Sequence, residues 1–145
     1  MRNDPARRDP ATYPYALETP VRYGDIDNNN HLNNVAFARF FEEARVRFHH
    51  HLRHRHPDLD GPRAIVASVH IDYLAEGGWP APVQIGVGIA KLGNSSYTVG
   101  QALFQTGNCI ALGESVIVNR NPDGPGGASL PARLRAVLEE MRLAA

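Results

Sequence analysis

The chain has 145 residues, 43% of them hydrophobic, which is enough for one domain with its own core and too few for two domains of ordinary size. Lys plus Arg and Asp plus Glu balance at 15 each, which excludes a global field favouring nucleic acid or an anionic membrane, so any anion site has to be local. A single cysteine, Cys109, excludes an intrachain disulfide framework and suits a reducing compartment, and no window approaches the roughly 18 apolar residues that a membrane span needs.

Residues 1 to 15, MRNDPARRDPATYPY, are rich in Pro, Arg and Asp without periodicity and read as a flexible N-terminal arm, followed by one domain over residues 16 to 145. The arm carries charge with no apolar stretch behind it, unlike a signal peptide or a membrane anchor, so a cytoplasmic protein is expected. Glu18 to Tyr23 suits a short strand, broken by Gly24 and a cluster of Asp and Asn. A long helix follows: Phe37, Phe40, Phe41, Ala44 and Phe48 fall on one face, while Arg39, Glu42, Glu43, Arg45 and Arg47 occupy the other side. Asn33 or Asn34 can cap it, leaving other amide N–H groups of the first turn free.

Beyond the Asp60-Gly61-Pro62 turn the apolar period changes to two. Ile65, Ala67, Val69, Ile71 and Tyr73 alternate with Val66, Ser68, His70 and Asp72, and Val83, Ile85, Val87 and Ile89 alternate with Gln84, Gly86, Gly88 and Ala90. Both runs predict half-buried strands. Ser96 to Gln105 and Cys109 to Asn119 predict two more, joined in a hairpin by Thr106-Gly107-Asn108. The small residues Gly86, Gly88, Gly100, Ala102, Ala111 and Gly113 would let a bulky element approach the sheet, and the aromatic helix is the obvious one. A Pro/Gly loop over residues 121 to 131 precedes a short helix, Ala132 to Leu143, with Leu134, Val137, Leu138 and Met141 on one side. A segregated helix and a run of strands make the class α+β.

The junction V-R-Y-G-D-I-D, then H-L-N-N, then F-F-E-E-A-R carries more ionisable and hydrogen-bonding groups than a chain reversal requires. It resembles the 4-hydroxybenzoyl-CoA thioesterase-like branch of the hotdog-fold superfamily, over roughly Leu17 to Asn119. The resemblance implies a curved antiparallel sheet of about five strands wrapped around one long central helix, with subunits paired edge to edge as a homodimer or homotetramer. It implies hydrolysis of an acyl-CoA to a free carboxylic acid and coenzyme A, with coenzyme A as part of the substrate and no separate cofactor or metal. It also implies that Asp27 is the catalytic carboxylate and that the Asn34 backbone N–H points at the thioester carbonyl. Asn30 stands where a Gly commonly precedes the His; Asn tolerates positive φ, so the turn can form, while its side chain could narrow the site.

Attack on a thioester builds negative charge on oxygen, which helix N-terminal N–H donors stabilise. Asp27 could attack the carbonyl itself or activate water. The plain alternative is that Asp25 and Asp27 only form the turn and cap, and Asp25 more readily braces the loop. His31 could orient the loop, contact substrate or share a proton with a carboxylate. Asn33 and Asn30 are further candidates beside the substrate. Ser95 and Ser96 could hydrogen-bond it, although Asn-Ser-Ser is also ordinary turn composition. Arg63, Lys91 and Arg120 are candidate cations for the coenzyme A phosphates.

Rival signals are weaker. His50 and His54 have i,i+4 metal-ligand spacing but lack an evident third ligand, and a basic helix C-terminus is favourable by itself. Glu42 is a reserve candidate acid; Glu43 is expected to pair with Arg39 and Arg47. Cys109 reads as a packing residue. Two other functions compete: a non-catalytic acyl-CoA-binding module, and a hotdog hydratase. Hydratase sites resemble an Asp with a His five residues on, whereas His31 follows Asp27 by four and Asp25 by six.

Overall fold

A computed structural model describes residues 1–59 and 64–144 of the chain. Five strands form one antiparallel sheet: β1 (Tyr15–Thr19), β2 (Ala64–Tyr73), β3 (Val83–Leu92), β4 (Ser96–Gln105) and β5 (Asn108–Asn119), in the spatial order β1-β3-β4-β5-β2. One long helix, α1 (Asn34–Arg55), lies against the sheet, and a short one, α2 (Ala132–Glu140), follows the strands. This is the hotdog arrangement expected from the junction motif.

The aromatic stripe of α1 is buried as its spacing requires. Phe37, Phe40, Phe41, Ala44 and Phe48 are each at most 4% exposed and pack against Val83, Ile85, Val87, Ile89, Val99 and Leu103 of β3 and β4. Mid-helix, the Gln101 side-chain amide donates to the Phe41 carbonyl at 2.9 Å, which fixes the helix against β4. The β4–β5 hairpin turns through Thr106 and Gly107, both at positive φ, as a tight two-residue turn demands.

The small residues divide between two faces. A Cβ at Gly113 would press on the Phe41 ring, so that glycine does admit the helix. At Gly86 it would meet the Tyr13 ring, at Gly88 the Leu143 and Pro14 side chains, and at Gly100 Arg7 and Leu143. Those three lie on the opposite face, since residues of one strand alternate between faces. There the first 15 residues form two short 3-10 turns, Pro5–Arg8 and Pro10–Thr12, and place Tyr13 at 7% exposure against Phe104, Ala102 and Leu112. The segment expected as a loose arm therefore packs as the cover of the outer sheet face; one buried tyrosine over a glycine floor accomplishes what periodicity did not signal.

Two strand expectations change. The first strand runs Tyr15–Thr19 rather than Glu18 to Tyr23: Pro20 carries no N–H for the ladder, and Tyr23–Asp25 closes a 3-10 turn instead. Strand β2 forms where predicted, but its burial does not alternate: most of its residues are exposed. It is the free end of the sheet, and Ile65, Val66, Val69 and Tyr73 are all close to half exposed. Among the described residues, no helix is long and apolar enough to cross a membrane.

Candidate active site

The chain enters the site from β1 through the Tyr23–Asp25 turn and leaves it along α1. Asp25 is 5% exposed and organises the passage. Its Oδ2 accepts from the Arg22 N–H at 2.8 Å and from Arg39 Nη2 at 2.6 Å, and its carbonyl accepts the Asn33 N–H at 2.8 Å. Burial pushes this carboxyl upward, but the Arg22 amide and the Arg39 guanidinium outweigh it and hold Asp25 below its ordinary value. Asp25 thus stays an anion that ties the turn to the second turn of the helix. Arg39, expected beside Glu43, spends its charge here, and Glu43 pairs with Arg47 alone at 2.8 Å.

Between Ile26 and Leu32, which form an isolated bridge, residues 27 to 31 make a tight loop. The Asp27 N–H donates to the His31 carbonyl at 2.9 Å, and Asp27 Oδ1 accepts from the N–H groups of Asn29 and His31 at 2.9 and 3.1 Å. Asn30 takes φ 64°, the left-handed conformation that Gly would adopt most easily. Its N–H bonds the Asp27 carbonyl, and its side chain lines neither cavity described below. One oxygen of Asp27 is thereby used to set the loop, and among the described residues Oδ2 makes no hydrogen bond.

Helix α1 starts with Asn33 as N-cap, its side chain accepting from the Val35 N–H at 2.9 Å. The cap uses the Asn33 side-chain oxygen, and Asn33 lines neither cavity described below. Asn34 is the first helical residue, and among the described residues its N–H donates to no acceptor, as expected of a first-turn amide. Asp27, His31, Asn34 and Phe37 line one cavity of about 270 Å³ with Tyr73 at the end of β2 and Ala75 and Glu76 of the segment after it. The His31 ring meets Glu76 there, Nε2 to Oε2, at 3.0 Å.

Glu76 was not legible in the sequence, because it arrives by a contact between segments far apart in the chain. The signal that could have found it is Gly77: its carbonyl accepts the Leu32 N–H at 2.9 Å, and a Cβ there would overlap Leu32 Cδ1. A side chain there would have to displace the tip of Leu32 and crowd Ile110. The other candidates fall elsewhere. Lys91, Ser95 and Ser96 sit at the β3–β4 turn, where the Ser96 carbonyl accepts the Gly93 N–H, and line neither cavity. Arg120 lines a separate cavity of about 530 Å³ at the other end of α1. Arg63 and the Asp60-Gly61-Pro62 turn lie outside the described residues. Among the described residues no group of three or more His, Cys, Asp or Glu could hold a metal ion. Burial raises the Cys109 thiol above its ordinary value, which suits a packing residue rather than a nucleophile.

A family model described as the thioesterase-like superfamily matches residues 21–138. The chain belongs to the thioesterase-like superfamily. That makes it a thioester hydrolase of hotdog fold. A search of curated proteins finds no significant match. Solved structures match along most of their length. A thioesterase superfamily protein from Jannaschia sp. CCS1 is 33% identical, with 92% of this chain and 87% of that chain covered and a TM-score of 0.75. A thioesterase from Thermus thermophilus, complexed with coenzyme A and Zn, is 29% identical over 90% and 95% of the two chains, with a TM-score of 0.77. A predicted thioesterase from Bacillus stearothermophilus is 27% identical over 90% and 98%, with a TM-score of 0.78.

Proposed function

We propose that this thioesterase hydrolyses acyl-CoA thioesters to a carboxylic acid and coenzyme A, using the Asp27 carboxylate and the Asn34 backbone amide. The observation that carries the reading is their shared cavity: Asp27, whose Oδ2 makes no hydrogen bond among the described residues, and Asn34, whose backbone N–H makes none among them either, line the same 270 Å³ space. A thioester carbonyl held between them would receive a hydrogen bond at its oxygen and a nucleophile at its carbon. The amide and the helix dipole stabilise the negative charge that forms on that oxygen.

Two routes use the same atoms. In the first, Asp27 Oδ2 bonds to the carbonyl carbon, the C–S bond breaks, coenzyme A leaves as thiolate, and water hydrolyses the mixed anhydride. In the second, Asp27 takes a proton from water as that water attacks, and the thiolate takes a proton on leaving. Both routes are complete with water as the only co-reactant. The Thermus thioesterase is complexed with coenzyme A, which supports coenzyme A as the thiol half of the substrate. Asn30 leaves the cavity clear, which favours an active enzyme over a module that binds without turnover.

The exposed apolar edge of β2 supports a homodimer, or a homotetramer built from such dimers. A ten-residue strand with Ile65, Val66, Val69 and Tyr73 exposed is an aggregation hazard unless another chain covers it. Thiol release from a panel of acyl-CoA substrates tests the activity. Turnover by the wild type that falls at least ~100-fold in Asp27→Asn supports the reading, and binding without turnover sinks it.

A further inference from the structure

His31 is tied to Asp27 on one side and to Glu76 on the other. Its N–H donates to Asp27 Oδ1 at 3.1 Å and its carbonyl accepts the Asp27 N–H at 2.9 Å, while its ring Nε2 lies 3.0 Å from Glu76 Oε2. An ionised carboxylate only accepts, so Nε2 carries the hydrogen and Nδ1 is the ring atom left with a lone pair. Among the described residues Nδ1 makes no hydrogen bond. The His31 and Glu76 side chains are 43% and 74% exposed, and a pair so open to water adds little stability. What the pair does have is its place: both residues line the cavity of Asp27.

Hydrolysis through the anhydride needs a base that Asp27 cannot be. Once Asp27 Oδ2 is bonded to the acyl carbon, the carboxyl has no negative charge with which to take a proton from water. Its other oxygen, Oδ1, is already engaged by the N–H groups of Asn29 and His31. The remaining groups on the wall are Asn34 and Phe37 from α1, Leu32, Tyr73 and Ala75, and the His31–Glu76 pair. An imidazole with one nitrogen fixed by a carboxylate and the other free is the arrangement of a base oriented by a third group beside a nucleophile.

We infer that His31 is the base of the hydrolysis step and that Glu76 is its positioning residue, an inference that rests on the Asp27 reading and deepens it. The water oxygen bonds to the acyl carbon, the bond from that carbon to Asp27 Oδ2 breaks, and Asp27 recovers its electron pair as a carboxylate. The water proton passes to His31 Nδ1 and then to the coenzyme A thiolate, so thioester and water give carboxylic acid and thiol. By accepting from Nε2–H, Glu76 fixes the tautomer in which Nδ1 is the acceptor.

The test follows thioester absorbance in stopped flow with the best acyl-CoA of the panel, with intact-protein mass spectrometry of quenched samples. His31→Gln should consume about one thioester per active site at close to the wild-type rate, carry the acyl mass when quenched, and then turn over at least ~100-fold more slowly. Glu76→Ala should show the same burst with kcat lowered about tenfold, and KM should fall with it, because kcat/KM reports only the steps up to thiol release. Glu76→Gln keeps an acceptor oxygen and should recover most of that loss. Nitrogen NMR shifts of the His31 ring should show the Nε2–H tautomer in the wild type and a mixture in Glu76→Ala, a truncation that an exposed side chain tolerates. No burst in His31→Gln, a kcat/KM that falls with kcat, Glu76→Ala turning over like the wild type, or a wild-type ring with its hydrogen on Nδ1 would overturn the inference. Asp27→Asn separates the two readings. If it loses both burst and turnover while Glu76→Ala behaves as the wild type, the Asp27 reading stands and this inference alone falls; if it turns over normally, both fall.

Discussion

Arg39 Nη2 lies 2.6 Å from Asp25 Oδ2, joining the turn before the Asp27 loop to the second turn of the helix after it. Asp25 is buried and Arg39 is about one-third exposed, so removing one partner leaves a charge only partly rescued by water. Arg39→Met is expected to cost about 2 kcal/mol of stability in chemical denaturation, less than the roughly 3–5 kcal/mol of a fully buried pair because Arg39 is partly exposed. Asp25 is depressed in the folded state. Its contribution is therefore fully present above the ordinary carboxylate pKa and is lost as pH falls through the lower folded value. The wild type should lose stability on acidification below about pH 4 more steeply than Asp25→Asn.

Gly77 sets how closely the segment after β2 approaches the loop. Gly77→Val would drive a side chain into Leu32 and Ile110. Overpacking of this kind costs about 1–3 kcal/mol. Because the same segment carries Glu76 to His31, acyl-CoA turnover should fall as well, measured under conditions where circular dichroism shows the variant folded.

The free edge of β2 should be covered by a second copy of the chain. Val69→Lys places a charge in the middle of that strand, where Val69 is 48% exposed in the single chain. Sedimentation should show the wild type as a dimer or tetramer and the variant shifted toward monomer. A wild-type monomer would remove the oligomeric reading.

Much of this architecture can be read from the chain because the signals are local. The α1 stripe repeats within one helix, the Thr106-Gly107 turn sits between two alternating runs, and the Asp27 loop and the Asn33 cap are neighbours in sequence. What could not be read depends on contacts between distant segments. Period-two alternation says that Gly86 and Gly113 have a face, but not that one meets Tyr13 and the other Phe41. Helical spacing offered Arg39 to Glu43, whereas the chain reversal before α1 supplied Asp25, a buried and therefore more demanding partner. Ser95 and Ser96 had the right chemistry for a ligand, but the hairpin leaves both outside the lining of either cavity. Alternation in β2 predicted burial that one chain cannot provide, because the strand ends the sheet.

The role of the Asn34 amide can be tested without altering the loop. Asn34 is the first residue of α1, a position where proline is favoured and costs the helix no hydrogen bond. Asn33, at φ −62° and ψ 141°, already has the extended conformation that a following proline requires. The most direct measurement is kcat for acyl-CoA hydrolysis by Asn34→Pro beside Asn34→Ala. The Ala variant, which keeps the N–H, should stay within about threefold of the wild type, while the Pro variant, which lacks it, should fall by about 100- to 1,000-fold with the fold intact. A folded Asn34→Pro enzyme that turns over as fast as Asn34→Ala would contradict the account.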